Sequence, residues 1–342
     1  MIGLIDVDLL HAKTNFPNLA LMKLAGFYRD KGEPVRLVRS LEDAIDCNQL
    51  FASKVFTATP DPSWFNFFPS IVKGGTGYNL QNAEPLPNEI EHARPFYDIY
   101  APIYDNLKGD ANVAFKDASI GFLTRGCFRQ CPFCVNKNKT RVEPWSPLQE
   151  FLDNRRKIVF LWDDNNWGYK DAPKQWAELI ETGKRFSFRQ GLDVRLTTPE
   201  KAQLLDKAKY FKFPCFAFDI PQQEEYFIKG ASILRKYCNK DARVYCLTGF
   251  YGSGLDEIEL IARRVKICWQ FEFFPFLMRH ENYIKNPLAP IIVDCGRFFN
   301  NMTFARRGDL MTFLGVYGCK GTKRILNDRP DVRKVLEGLK RD

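Results

Sequence analysis

The chain has 342 residues, and its composition of 45% hydrophobic and 27% charged residues is ordinary for a folded protein with a sizeable core. This composition excludes a disordered chain, a collagen-like repeat and a coiled coil, and no apolar run approaches the ~20 residues needed to span a bilayer. The first ten residues contain Asp6 and Asp8 and no basic segment, which is unlike a signal peptide. We therefore expect a cytoplasmic protein without membrane association.

Charge is distributed unevenly along the chain. Residues 1–110 carry 10 Lys and Arg against 14 Asp and Glu, so the remaining residues carry 40 against 27, a net charge of +13. The last segment, 296–342, has 11 Lys and Arg against 5 Asp and Glu. A basic half beside an acidic one is typical of proteins with a polyanionic partner, and a solvated surface without a partner is the alternative.

The first 80 residues alternate strand and helix patterns. Strands are predicted at 2–7, 35–38 and 53–57 and at 71–77, where the last runs into the glycine-rich turn 74–77; helices are predicted at 19–28 and 41–50. Such alternation predicts a small parallel α/β domain, Rossmann-like or flavodoxin-like, over residues 1–80. Residues 81–112 contain four prolines and several acids, which predicts an irregular connector.

A second alternation begins at residue 118. Strands are predicted at 118–124, 157–162, 185–190, 211–219, 243–249 and 271–278, with helices at 146–156, 172–184, 199–208, 222–237 and 255–268. A series of βα units closes toward a barrel, with functional groups at the carboxyl ends of the strands. We therefore predict a partial (β/α)6 TIM-like barrel over 113–295, followed by a basic helical tail over 296–342.

Three of the ten cysteines lie within eight residues, directly after the first strand of the second domain. They are Cys127, Cys131 and Cys134, whereas the other seven are scattered singly, as expected for small buried hydrophobic residues. Iron–sulfur clusters are usually held by four cysteines, and structural zinc by two paired cysteine knuckles. The next cysteine after this group is Cys215. A [4Fe–4S] cluster held by three thiolates leaves one iron open to another ligand; zinc and clustered core cysteines are the alternatives.

The cysteine loop resembles that of the radical S-adenosylmethionine (radical SAM) superfamily, whose pattern is CxxxCx-aromatic-C, with Phe133 as the aromatic residue. The resemblance covers about residues 110–290. It implies a [4Fe–4S] cluster ligated by Cys127, Cys131 and Cys134, with S-adenosylmethionine (SAM) chelating the fourth iron. It also implies reductive cleavage of SAM to a 5′-deoxyadenosyl radical that abstracts hydrogen from a substrate. An external flavodoxin-like or ferredoxin-like one-electron reductant is then expected as a partner.

The resemblance places SAM and substrate at the ends of the barrel strands, where polar residues recur. The candidate cofactor-binding residues are Phe133, Asp164, Asn165, Asn166, Gln190, Asp193, Arg195, Asp219 and Gly249, and the candidate catalytic residue is His280. Structural roles are the alternatives: an Asx turn after the second strand, an ion pair between Asp193 and Arg195, a helix N-cap at Asp219, and a surface histidine at 280.

The N-terminal domain resembles the cobalamin-binding domains that precede some radical SAM barrels. Binding of cobalt through a protein histidine is expected to use a DxHxxG loop, and His11 is followed instead by Ala-Lys-Thr-Asn. The domain is then either vestigial or holds something without a histidine ligand; we expect it to be vestigial, and the sequence argues against cobalamin as a cofactor. The domain contains only Cys47, which also argues against a methylthiotransferase with a second cluster.

The predicted function is that of a radical SAM enzyme acting on a small-molecule or peptide substrate. RNA is a second possible substrate, although the tail has few aromatic residues to stack on bases. Two further alternatives stay open: a non-enzymatic iron–sulfur or zinc module that binds nucleic acid, and a cobalamin-dependent radical SAM methyltransferase.

Overall fold

The computed structural model describes residues 1–11, 16–80, 82–104, 114–136 and 139–340. The chain forms two compact units. The first comprises Met1–Asp163 and Lys184–Phe186, and the second comprises Asp164–Gly183 and Ser187–Asp342. Each unit contains parallel sheets and helices, which confirms the predicted α/β class.

The N-terminal sheet is parallel and has four strands in the order β2-β1-β3-β4. The strands are β1 (Ile2–Asp6), β2 (Val35–Leu37), β3 (Gln49–Ser53) and β4 (Val72–Gly74). All five residues of β1 are buried, as expected for an inner strand covered on both faces. The helices near this sheet are Val7–His11, Leu19–Asp30, Leu41–Ile45 and the 3-10 helix Ser63–Phe67.

The third strand lies four residues earlier than the predicted strand 53–57. The helix predicted at 41–50 ends at Ile45, and Gln49 then pairs with Ile2 of β1. Val55 and Phe56, whose β-branched and aromatic side chains suggested a strand, are 53% and 54% exposed. The prediction for 53–57 is therefore wrong, because these apolar side chains belong to a surface loop.

The described part of the connector 81–112 is more regular than predicted. It contains the helices Asn88–Glu91 and Ala101–Tyr104 and the 3-10 helix Tyr97–Tyr100. Pro87 is the N-cap of the first of these helices, where a proline is tolerated because no intrahelical N–H is lost. Residues 81 and 105–112 lie outside the described ranges.

The six strands predicted for the barrel are present. They are β5 (Ala118–Gly121), β8 (Ile158–Leu161), β9 (Arg185–Phe188), β10 (Cys215–Ala217), β11 (Arg243–Thr248) and β12 (Phe274–Arg279). They form two three-stranded sheets, β5-β8-β9 and β10-β11-β12, and Leu192 adds a parallel bridge to Phe216 of β10. The sheets of the described ranges are open, so closure into a (β/α)6 barrel stays a prediction.

Helices follow these strands as the alternation predicts. They are Leu148–Phe151, Ala172–Glu181, Pro199–Lys207, Glu224–Tyr237, Leu255–Gln270 and Ala289–Phe299, with 3-10 turns at Asn166–Gly168, Val194–Leu196, Pro221–Gln223 and Glu281–Lys285. The first is much shorter than the predicted helix 146–156, because Leu152 already has an extended backbone.

The basic tail is helical, as predicted. Its helices are Met302–Arg307, Leu310–Tyr317, Lys320–Asp328 and Pro330–Glu337. The predicted start of the tail at residue 296 falls inside the helix Ala289–Phe299. Asp294 of that helix is buried and accepts hydrogen bonds from Cys319 N at 2.8 Å and Thr322 Oγ1 at 2.7 Å, which joins the tail to the preceding helix.

Within the described ranges, none of the helices offers a segment both long and apolar enough for a bilayer crossing.

Candidate functional site

A short antiparallel strand pair closes the cysteine loop. Strand β6 (Thr124–Arg125) pairs with β7 (Glu143–Pro144), with Thr124 opposite Pro144 and Arg125 opposite Glu143. The intervening residues, 126–142, contain Cys127, Cys131 and Cys134. The two ends of the loop are therefore held together by backbone pairing that involves none of the cysteines.

Two backbone positions shape this loop. Gly126 has φ = 95°, and a Cβ atom there would collide with the carbonyl of Arg141, so a glycine is required on both counts. Gln130 has φ = 47°, and its side-chain Nε2 donates to the carbonyl of Lys139 at 3.0 Å. These contacts join the two sides of the loop around the cysteines.

The three cysteines form no disulfide and are partly exposed. Cys134 N donates to the carbonyl of Cys131 at 3.0 Å, and Asn136 N donates to Cys134 Sγ at 3.4 Å. Backbone N–H donors to cysteine sulfur are one of the interactions by which proteins adjust iron–sulfur clusters. Across the described ranges, no three His, Cys, Asp or Glu side chains are gathered as a metal site.

Asp163 fixes the segment that leads into the loop. This residue is fully buried, and its carboxylate accepts hydrogen bonds from Leu123 N at 3.1 Å, Thr124 N at 2.7 Å and Thr124 Oγ1 at 2.6 Å. Sequence reasoning began the candidate run one residue later, at Asp164. The available signal was that Asp163 is the first acid after a wholly apolar strand, where a buried carboxylate needs several donors.

Glu91 supports the same segment from another side. Its Oε1 accepts hydrogen bonds from Lys23 Nζ at 2.7 Å and Trp145 Nε1 at 2.8 Å, and Arg125 Nη2 lies 3.5 Å away. The guanidinium of Arg125 also lies over the ring of Phe122, with Cζ 3.5 Å from the ring centroid. Burial raises the pKa of Glu91, but the hydrogen bond and charge of Lys23 outweigh it and leave that pKa lowered. Sequence reasoning missed this cluster, since its members are far apart in the chain.

We expect Glu91→Gln to lower the free energy of unfolding by about 2 kcal/mol, because Lys23 is only 4% exposed and its ammonium loses its counter-charge. Urea unfolding measures this change, and the rate at which a chelator removes iron from the reconstituted protein should rise. Glu89→Gln, at an exposed position of the same helix, is the matched control. Equal losses in both variants would show that Glu91 supports nothing beyond its own helix.

Of the three candidate residues after β8, Asp164, Asn165 and Asn166, the last has a structural role. Asn166 donates from Nδ2 to Gln175 Oε1 at 2.9 Å and accepts from Trp176 Nε1 at 2.8 Å, which joins the 3-10 turn to the helix Ala172–Glu181. Asn165 is buried and Asp164 is half-buried. The amide of Asn166 is therefore engaged within the protein, and a role in binding SAM for these three residues stays a prediction.

The polar group after β9 contains the ion pair that was one of its two interpretations. Arg195 donates from Nε to Asp193 Oδ1 at 2.6 Å and from Nη2 to Oδ2 at 3.0 Å, and both side chains are largely buried. Gln190 is exposed. Among Gln190, Asp193 and Arg195, only Gln190 presents its side chain mainly to solvent. Contacts of these three residues with the cofactor stay predictions.

The last three candidates have defined surroundings in the second unit. Asp219 is not a helix N-cap; its Oδ1 accepts from Leu247 N of β11 at 2.9 Å. Gly249 has φ = 77°, and a Cβ there would lie 2.5 Å from Cβ of Tyr283, so close packing explains this glycine. His280 caps the 3-10 helix Glu281–Lys285 by accepting from Asn282 N at 3.2 Å.

Asp219 should make stability depend on pH. Burial raises the pKa of Asp219 from 3.8 to about 6, so the folded state favours the neutral acid. The contribution of Asp219 to the free energy of unfolding is therefore complete below pH 3.8 and is lost as the pH rises through 6. Relative to Asp219→Asn, which cannot titrate, the wild-type free energy of unfolding should fall by up to about 3 kcal/mol between pH 4 and 7. Urea unfolding of both proteins across this range measures the difference. A constant difference would mean that Asp219 titrates normally.

Comparison with known proteins gives a match at the level of the fold. Neither a family model nor a curated protein matches the sequence. The radical SAM methyltransferase TsrM from Kitasatospora setae, with cobalamin and a [4Fe-4S] cluster bound, is 12% identical and superposes with a TM-score of 0.57 over 81% of this chain and 74% of its own. This chain has the fold of a radical SAM enzyme. The resemblance predicted from the cysteine loop is thereby confirmed for the fold.

Two further structures were matched. TsrM with tryptophan substrate and a SAM analogue gives a TM-score of 0.56 at 12% identity, over 81% of this chain and 72% of its own. The cobalamin-dependent radical enzyme OxsB with aqua-cobalamin is 11% identical over 97% of this chain and 56% of its own, with a TM-score of 0.42 that is too low to bear on the fold.

The prediction against cobalamin is wrong. TsrM, which shares the radical SAM fold with this chain, is solved with cobalamin bound. The match covers 81% of 342 residues, more than the 230 residues from 113 to 342, and so it includes part of the N-terminal region. The missing histidine loop removes only one possible ligand of cobalt. Its absence therefore gave no reason to exclude the cofactor.

Proposed function

We propose that this protein is a radical SAM enzyme whose Cys127, Cys131 and Cys134 hold a [4Fe–4S] cluster. The observation that carries the proposal is the three-cysteine loop, closed by β6 and β7, in a chain with the radical SAM fold. When bound, the cluster supplies the electron that cleaves SAM reductively. Three thiolates leave one iron for SAM, which a four-cysteine electron carrier or a structural zinc site would not do.

The chain's own residues position the loop and leave it accessible. Asp163 and Glu91 hold the residues on either side of the loop, and Asn136 N donates to the sulfur of Cys134. The partial exposure of the three cysteines suits electron delivery by a separate protein of the flavodoxin or ferredoxin type.

Anaerobic reconstitution followed by electron paramagnetic resonance tests the proposal. We expect the spectrum of the reduced cluster to change when SAM is added, and 5′-deoxyadenosine to form. A reduced cluster that is insensitive to SAM would favour the alternative of a non-enzymatic module. Zinc in place of iron in the purified, air-free protein would do the same.

A second candidate function is cobalamin-dependent methyl transfer, which the similarity to TsrM favours. In the order β2-β1-β3-β4, the topological switch point lies at the carboxyl ends of β1 and β3, where parallel α/β sheets bind ligands. Asp8 holds the loop after β3 there by accepting from Val55 N at 2.6 Å, and the exposed Val55 and Phe56 offer apolar surface that fits a corrin ring.

Gel filtration after incubation with hydroxocobalamin tests this second function. Cobalamin absorbance that elutes with the protein, and that falls in Phe56→Ser, would support it. Elution of all cobalamin in the small-molecule fraction would leave the enzyme without this cofactor.

For the substrate, we propose a small molecule or a peptide rather than RNA. The tail aromatics Phe298, Phe304, Phe313 and Tyr317 contact one another with ring centroids 4.9–6.3 Å apart, and of these four only Tyr317 is exposed, so they offer few rings on which bases could stack. Filter binding of total tRNA at two salt concentrations tests this proposal. Submicromolar binding with a steep salt slope, lost in a Lys323→Gln, Arg324→Gln variant, would contradict it.

A further inference from the structure

A cavity in the first unit is lined by three arginines. Its volume is about 320 Å³, within the usual size of small-ligand sites, and its lining consists of Arg29, Arg94, Pro95, Phe96, Tyr97, Asp153 and Arg155. None of these residues belongs to the cysteine loop or to the candidate SAM residues. The proposed function therefore leaves the cavity unexplained.

Phe96 and Tyr97 form the aromatic part of the cavity lining, here called the floor, and both are held in place. Phe96 N donates to the carbonyl of Met22 at 2.9 Å, and Gly26 allows the close approach because a Cβ there would collide with the carbonyl of Arg94. Tyr97 is buried, and its hydroxyl bonds the carbonyl of Phe151 at 2.6 Å and accepts from Ile120 N at 2.9 Å. The segment that forms the floor is thus fixed on both sides.

The charges around the cavity do not balance. Arg155 is matched by Asp153, with Nη2 2.8 Å from Oδ2, and Arg29 is matched by Asp30 at 2.7 Å. Arg94 Nη2 donates to the carbonyl of Leu152 at 2.6 Å and, among the described residues, has no carboxylate partner. A carbonyl carries no net charge, so the guanidinium of Arg94 is uncompensated at the cavity wall.

The arginines and the floor differ in what they can recognise. Guanidinium groups bind phosphate and carboxylate oxygens in a two-pronged geometry and are the preferred side chains for that task. Arg29 already lies over the ring of Phe96, 4.6 Å from its centroid, and Phe96 is partly exposed. A ligand that satisfies both features has an anionic group and a flat apolar part.

We propose that this cavity binds the phosphate group of a small organic phosphate ester, with Arg94 as the main anion contact and Phe96 as the surface for the organic part. Arg29 and Arg155, each already oriented by a carboxylate, flank the phosphate. The bound dianion would compensate the charge of Arg94.

Isothermal titration of the full chain with phenyl phosphate, inorganic phosphate and potassium chloride at matched ionic strength tests the proposal. We expect saturable binding of phenyl phosphate, weaker binding of inorganic phosphate and none of chloride. Equal binding of phenyl and inorganic phosphate would assign the site to free phosphate and overturn the ester. An absence of saturable heat with either phosphate in the millimolar range would overturn the site itself.

Variants of two exposed arginines identify the contact. Arg94→Gln should weaken phenyl phosphate binding about tenfold, since one charge-assisted contact is lost. The affinity of Arg94→Lys for phenyl phosphate should lie between those of the wild type and Arg94→Gln, because lysine keeps the charge but loses the two-pronged geometry of the guanidinium. Arg39→Gln removes an exposed arginine elsewhere in the same unit that has no ion pair with any described residue, and this variant should bind phenyl phosphate as the wild type does. Unchanged affinity in Arg94→Gln, with an unchanged melting temperature, would refute the assignment of Arg94.

Discussion

Cys131→Ser should abolish SAM cleavage and remove most of the iron that the wild-type chain takes up on anaerobic reconstitution. A serine hydroxyl is a poor substitute for a thiolate, and two remaining thiolates hold a [4Fe–4S] cluster weakly. The variant should stay soluble and folded, because Cys131 is partly exposed in a loop whose ends are held by backbone pairing of β6 and β7. The measurements are iron content and the rate of 5′-deoxyadenosine formation.

Cys319→Ser is the matched control for this variant. Cys319 forms no disulfide either, but it is exposed in the helical tail, where its Sγ lies 3.5 Å from Thr322 Oγ1. Iron content and SAM cleavage should equal those of the wild type. A Cys131→Ser protein that still forms 5′-deoxyadenosine at the wild-type rate would remove the basis for the proposed function.

Arg264→Met should destabilise the second unit by about 3–5 kcal/mol, the usual cost of breaking a buried charged network. Arg264 is 2% exposed, and its Nη1 donates to the carbonyl of Leu247 at 2.7 Å and to that of Phe218 at 3.4 Å. Its Nη2 lies 3.9 Å from Oε1 of Glu257, which is 1% exposed. Methionine removes the donor to the two carbonyls and the positive charge beside Glu257, whose Oε2 keeps the hydrogen bond from Gly252 N. Urea or thermal unfolding measures the loss.

The neighbouring arginine provides a stringent control. Arg263 is 69% exposed and pairs with Glu224 at the surface, with Nε 2.5 Å from Oε2. Because exposed ion pairs contribute about 0–1 kcal/mol, Arg263→Met should have almost the wild-type stability. Similar losses in the two variants would mean that the network around Arg264 contributes no more than a surface contact.

The sequence was most informative where one short segment carried the whole signal. The helix Leu255–Gln270 buries Ile258, Ile261, Val265 and Cys268, as its periodicity predicted. The cysteine spacing predicted the radical SAM fold, since a cluster loop is local in sequence. Arg264 was missed, although it falls on the face that contains Ile261 and Cys268, because periodicity alone does not anticipate that a charged side chain is buried.

Interactions between distant segments could not be predicted in the same way. The group of Lys23, Glu91, Arg125 and Trp145 joins segments up to 122 residues apart. The predicted strand 53–57 was misplaced because Val55 and Phe56 have high β-propensity, and β-propensity does not show whether the protein covers these side chains. For the predicted SAM residues, a carboxylate or amide at a strand end has the same sequence signature whether it binds a ligand or, as with Asp193 and Arg195, a neighbour.

The β6–β7 pair also determines when the chain loses conformational freedom. Bringing together the ends of the 17-residue segment 126–142 costs about 2.5 kcal/mol of chain entropy, on the scaling for a flexible loop. Because this pairing involves no cysteine, the loss is incurred during folding rather than during cluster assembly. Iron therefore meets a segment that is already closed. Assembly of the cluster and folding of the polypeptide should consequently be separable events, unlike those of a zinc finger, in which the metal itself drives folding.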